Sequence, residues 1–279
     1  MNTTARTPAY WVRTVAVALV GLAFFLPLLW VVAASVRPGS ETFSRLSPIS
    51  WDSFVTLTPT FQNYLNLLDG DLGRATLNSI LVSAVTVAVG LLVCAMAAFA
   101  LSAFQFRGQT LVFAVVVLSF LIPFDAIAIP LADIFRDWNL TNTFVGLVLP
   151  GIGNGMAIFL LRQFFLAIPR ELVEAGRLDG LGWLGIFTLI YLPLSRPALI
   201  GAGLTLFLFQ WQSYVWPLLI GTDREHILGP VALASMQGQN VVDYGLVFAG
   251  AVVLTLIPLV VIVMFQRYFI QSVSSSGLK

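Results

Sequence analysis

The chain has 279 residues, of which 58% are hydrophobic and only 10% charged, and its mean hydropathy is +0.93. A soluble domain carries about a quarter charged residues, so an ordinary soluble enzyme is excluded. Fourteen Lys and Arg against thirteen Asp and Glu give a net charge of +1, which excludes a strongly basic nucleic-acid footprint. Lys279 is the only lysine, so no phosphate loop of the form GxxxxGK[ST] exists, and a lone Cys94 and a lone His226 leave no intrachain disulfide and no histidine-rich metal site.

About 20 apolar residues span a bilayer as a helix, and six runs satisfy that length: Thr14 to Val36, Asn78 to Phe104, Gln109 to Ala132, Val145 to Ile168, Pro197 to Ile220 and Tyr244 to Phe265. The expected fold is all-α, a polytopic membrane protein with residues 14–265 as the spanning domain, a terminal segment at 1–13 and a tail at 266–279. The first run follows Arg6 and Arg13 but is longer than a signal-peptide core, so it reads as a retained helix. Only Gln105 to Gly108 separate the second and third runs, which predicts a tight helical hairpin.

With six spans both termini share a side. That side holds Arg6, Arg13, Arg107, Arg162, Arg170, Arg177, Arg196, Arg267 and Lys279, nine of the fourteen cations. The excess of positive charge predicts cytoplasmic termini in an inner or plasma membrane. Arg37, Arg45, Arg74, Arg136 and Arg224 fall on the other side among acids that include Asp52. The two longer external segments, Arg37 to Leu77 and Gly221 to Asp243, read as interfacial caps, with His226 as a solvent-facing loop residue. Prolines in or beside the spans, Pro123, Pro150, Pro193 and Pro217 among them, predict breaks that neighbouring helices or a water-lined cavity must satisfy.

The one sizeable insertion on the cytoplasmic side runs from Ile168 to Gly180. Pro169 suits a first helical turn, Glu171 and Glu174 complement the positive N-terminal end, and Gly180 supplies a left-handed stop. A surface helix of about three turns follows, with Leu172, Ala175 and Leu178 as an apolar stripe. Its acidic side chains disfavour a lipid surface, which is itself negative on this side, and favour a protein groove.

Glu174-Ala175-Gly176, Asp179-Gly180, Phe187, Ile190, Leu192-Pro193-Leu194 and Pro197 resemble the EAA loop of ATP-binding-cassette importer permeases. Gly176 stands where the second alanine is usual. The likeness extends to Leu161-Arg162-Gln163-Phe164-Phe165 and to Phe209-x-Trp211-Gln212-Ser213-Tyr214-x-Trp216-Pro217-Leu218, and is similar to the carbohydrate-uptake branch, the maltose and glycerol-3-phosphate permeases included. The tail from Ser272 to Lys279 departs from the glycine-rich ending of that branch.

This resemblance implies a non-catalytic pore subunit working by alternating access. It implies a second related permease as heterodimer partner, two ATPase subunits that bind the ATP and Mg, and an extracytoplasmic solute-binding protein; the chain itself needs no cofactor. The loop at 169–197 would carry the coupling helix, with Leu172, Glu174, Ala175, Gly176, Leu178, Asp179 and Gly180 at the ATPase. Candidate solute-path residues are Asn78, Asn154, Gln210, Trp211, Gln212 and Tyr214, whose aromatic faces and amides suit a sugar and equally suit helix-helix contacts. Asp125, the one carboxylate within a span, reads as outer-gate packing or as a solute contact. Import of a sugar is the leading expectation. Glycerol-3-phosphate or a glycerophosphodiester is the alternative, disfavoured by the lack of an arginine at mid-membrane depth. An ion-coupled secondary transporter would need matched intramembrane ion sites, and a membrane enzyme clustered His, Asp, Ser or Cys groups.

Overall fold

The computed structural model describes residues 8–43, 54, 56, 59–237 and 242–276. Arg6, Arg45, Asp52 and Lys279 lie outside the described residues. The chain divides into two compact units, one drawn from Met1–Gly73 with Leu233–Thr255 and the other from Arg74–Ala232 with Leu256–Lys279.

In chain order the helices are α1 (Pro8–Ser35), α2 (Gln62–Asp69), α3 (Asp71–Ala103), α4 (Gln109–Leu121), α5 (Phe124–Asp137), α6 (Phe144–Val148), α7 (Gly155–Leu166), α8 (Arg170–Leu178), α9 (Trp183–Ile186), α10 (Leu192–Leu194), α11 (Arg196–Trp211), α12 (Val215–Ile220), α13 (Gly229–Met236) and α14 (Tyr244–Ser276). Among the described residues three single helices are long and apolar enough to cross a membrane, and up to six spans result if each of three bent pairs counts as one. The wide exposure of Phe24, Leu111, Leu118 and Met264 is what a lipid-facing or subunit-facing surface requires, since no water has to be excluded there.

The predicted spans are present with altered ends and breaks. α3 begins at Asp71, seven residues before the expected Asn78, and α14 runs on to Ser276, through the segment expected as a separate tail. The third span bends by 99° between α4 and α5. Pro123 is the cause: it forces Ile122 into an extended conformation and cannot continue the hydrogen-bond ladder. The fourth bends by 45° at Ile152 to Asn154, between Gly155 and the Pro150 turn. The fifth is not continuous from Pro197 to Ile220, because α11 stops at Trp211 and α12 restarts at Val215. A second bend, of 84°, lies at Ser195, ahead of Pro197.

In the first unit polar contacts tie down described parts of the segment that the sequence read as an interfacial cap. Arg37 is 1% exposed, with its Nε donating to Thr56 Oγ1 at 2.8 Å. Asn63 Nδ2 donates to the carbonyls of Ser35 and Arg37 at 2.8 and 2.7 Å. The sequence reading placed Arg37 at the start of an interfacial cap and gave no sign that its guanidinium is buried.

The second unit holds two apolar clusters. One gathers Phe99, Phe165, Phe187, Tyr191 and Leu206 around Cys94, Ala98 and Ala202. The other gathers Ala128, Phe135, Leu147, Trp216 and Ile220 around Val82. Val82 and Phe99 both lie on α3, 17 residues apart in sequence, which places the clusters roughly 25 Å apart along the helix.

Candidate functional site

The loop from Ile168 to Leu181 is built by its own hydrogen bonds. Pro169 caps α8 in an extended conformation, and no side chain caps the helix N-terminus. At the other end Leu181 N–H donates to Gly176 O at 2.9 Å and Gly180 N–H to Arg177 O at 3.0 Å. Gly180 has φ +85°, so the pair forms a Schellman closure in which only glycine is free of a Cβ penalty.

At 100° per residue α8 presents two opposed faces. Leu172, Ala175 and Leu178 point away from the chain, with Leu178 90% exposed and Leu172 43% exposed, and Glu171 and Asp179 flank them. Gly176 turns inward instead. A Cβ there would stand 2.9 Å from Ile190 Cδ1 and 3.3 Å from Leu181 Cδ1, so its smallness serves the chain's own packing. Arg170, Val173, Glu174 and Arg177 line a cavity of about 270 Å³ beneath the helix. Glu174 is exposed as well and borders Leu178 one helical turn on, so it lies at the edge of the apolar stripe.

Behind α8 an aromatic series supports the loop. The Arg177 guanidinium carbon lies 4.0 Å from the centre of the Trp183 ring, and Trp183 meets Phe104 at 4.5 Å, which meets Phe99 at 5.6 Å. Arg162 braces the same end. Its Nε donates to Leu101 O at 3.0 Å while its guanidinium covers Phe113 at 3.9 Å. Sequence reasoning missed both arginine-aromatic contacts, although an arginine six residues before a tryptophan across a glycine turn was a usable signal.

The six solute-path candidates meet different parts of the chain. Asn78 donates to the carbonyls of Glu225 and Ile227 at 2.7 and 3.1 Å, so it fastens a loop. Asn154 is the N-cap of α7, accepting from Ala157 N–H at 3.0 Å. Gln210 is buried and meets Thr86 Oγ1 at 3.4 Å. Trp211 stacks on Phe207 and lines an apolar cavity of about 520 Å³ among α3, α11 and α14. Gln212 and Tyr214 lie exposed in the break between α11 and α12. Asp125 is exposed in the first turn of α5.

The loop after α12 carries contacts that polarity alone did not reveal. His226 is not solvent-facing: its side chain is 18% exposed, Nδ1 lies 2.8 and 3.0 Å from the two Asp223 carboxylate oxygens, and the ring meets Phe144 at 4.8 Å. Asn142, at φ 54°, donates its N–H to Ile220 O at 2.7 Å, and its Oδ1 accepts from Thr222 N–H at 2.8 Å. The helix-turn signal of an Asn able to adopt a left-handed conformation was present in the sequence.

A family profile for the inner membrane component of binding-protein-dependent transport systems matches residues 90–275, which include α8 and the loop that follows. The chain belongs to this family. The permease is 31% identical to the arabinooligosaccharides transport system permease protein AraQ of Halalkalibacterium halodurans over 96% of each chain. It is also 31% identical to the trehalose transport system permease protein SugB of Mycobacterium tuberculosis over 99% of each. The crystal structure of a bacterial ABC transporter involved in the import of the acidic polysaccharide alginate shares the fold, with a TM-score of 0.80 at 22% identity over 96% of this chain and 100% of that one. As a multi-pass inner-membrane permease of an ABC transporter, the chain works with other components of such a system.

Proposed function

We propose that this permease forms half of the translocation path of an ATP-driven importer of a sugar or oligosaccharide. A second, related permease completes the path. Two ATPase subunits carry the nucleotide chemistry, and an extracytoplasmic binding protein presents the solute. Both termini and α8 face the cytoplasm in this reading, in keeping with the arginine-rich side of the chain. The sugar class is supported by the relatives named for arabinooligosaccharides and trehalose transport.

The observation that carries the reading is the outward face of α8. Leu172, Ala175 and Leu178 stand in the open while the helix is locked by its Schellman closure and by Arg177 on Trp183. A helix that exposes its apolar stripe and buries its glycine needs a groove on another protein. ATP-driven closure of the ATPase pair would push α8, and the aromatic series from Trp183 through Phe104 to Phe99 would pass that displacement to α3, converting the path between its two openings. The sugar contacts then form where two permeases meet, in keeping with the dispersed polar residues of this one.

Leu178→Asp tests the docking. Because the side chain is 90% exposed, the variant should insert and melt like the parent chain. Loss of a buried leucine and burial of a charge should weaken ATPase capture at least about tenfold and abolish sugar uptake. Normal uptake with normal ATP hydrolysis would sink coupling through this face.

A further inference from the structure

The inward face of α8 offers a second site, on the side opposite the docking stripe. Its cavity, about 270 Å³, is closed by the last turn of α3 and the residues after it (Ser102, Gln105), by the end of α7, and by Arg170, Arg177 and Tyr191. Among the described residues neither arginine has an ion-pair partner. Glu174 is the one carboxylate in the lining, so two positive charges face one negative charge.

The geometry points to a binding site for a phosphate group, which we propose is held by Arg170 and Arg177 at the membrane-water boundary. Stacking on Trp183 fixes the plane of the Arg177 guanidinium and leaves its N–H edges free, the arrangement that favours a planar fork on a tetrahedral oxyanion. The N-terminus of α8, whose first residue Arg170 lines the cavity, has no side-chain cap, so its backbone N–H groups add to the positive potential. Gln105, Ser102 and Tyr191 line the same space with uncharged polar side chains.

The cavity lies where two membrane-spanning helices, α3 and α7, end. Phospholipid headgroups occupy that level, and an anionic one brings both the phosphate and a means of anchoring α8 against the bundle. A soluble phosphate compound would satisfy the same groups. This assignment needs only the membrane permease fold, and it survives or fails independently of the sugar reading.

The test uses the full chain, purified with its associated subunits and placed in nanodiscs of phosphatidylcholine with or without phosphatidylglycerol. Native mass spectrometry reads retained lipid, and calorimetry with inorganic phosphate reads free anion. A lipid source predicts phosphatidylglycerol retained by the parent protein and lost in R170Q/R177Q, with affinity falling about tenfold per arginine. A free source predicts arginine-dependent inorganic phosphate binding in phosphatidylcholine discs. Retention and phosphate binding that are both indifferent to the two arginines would overturn the site. If the double variant fails to accumulate, Arg170→Gln alone, an exposed position, decides the same question.

Discussion

The two ends of the larger unit solve opposite problems with the same apolar material. At the α8 end the aromatic series and Gly176 hold a short helix in place while its apolar stripe is left in the open. At the other end the polar groups turn back on the chain itself. Trp216 Nε1 donates to Gly146 O at 3.1 Å, Asn78 and Asn142 fasten the segment after α12, and Ser79 Oγ accepts from Gly229 N–H at 2.9 Å. One end exports a rigid surface, and the other closes its own loops. A docking face can be damaged without unfolding the protein, whereas a self-closed end cannot, because there each polar group is the partner of another.

The largest effect should therefore come from Trp216. It is 2% exposed and packs edge-on against Phe135 at 4.9 Å, so Trp216→Ala removes its core volume and its hydrogen bond to Gly146 O. The expected loss is about 3–5 kcal/mol, seen as a strongly lowered melting temperature of the purified protein. Leu178→Asp should leave that temperature unchanged. Equal losses from both substitutions would erase the distinction between the ends.

Gly176 gives an intermediate and signed test at the α8 end. The nearest atom to a new Cβ is Ile190 Cδ1, the tip of a flexible side chain. Gly176→Ala should therefore be tolerated and gain up to about 1 kcal/mol of helix propensity. Gly176→Leu should cost about 1–3 kcal/mol by overpacking against Ile190, Leu181 and Ile186. Thermal melting distinguishes the two, and a destabilising alanine would show that the inner face of α8 has no room to give.

The sequence was readable wherever one physical requirement dominated. Six apolar runs stand out because a bilayer demands length and little else, and the α8 helix stands out because Pro169 and Gly180 bracket it. The bends were only half readable. Pro123 marks a break, but its angle of 99° depends on the packing of α4 on α7 and of α5 on α12. The solute-path residues were chosen by polarity and depth, and that criterion cannot see a partner 147 residues away, which is where Asn78 finds its carbonyl. Glu174 shows a related limit: it is exposed beside the stripe and also lines the cavity beneath the helix, a double placement that a nine-residue helix with charges on every side does not declare.

The smallest effect separates the ends by pH. The Asp223 carboxyl titrates below its ordinary value: desolvation pushes it up, but the hydrogen bonds from the His226 ring and backbone and the His226 charge together outweigh it. A carboxyl lowered on folding stabilises the folded chain above its unfolded value of about 3.9, and that contribution disappears as the pH falls through the folded value. Asp223 is 39% exposed at its side chain, so solvent screens the pair and the contribution is small. Melting of the parent protein and of Asp223→Asn, followed from about pH 6 down to about pH 3, should show the parent ahead at the upper end and the two converging in acid. No group of the exposed α8 stripe takes part, so, on the docking proposed for that stripe, ATPase capture at pH 6 should be the same for both proteins. A gap that persists undiminished in acid would mean that the loop is held by Phe144 and Asn142 alone, and that the carboxylate adds nothing to the self-closed end.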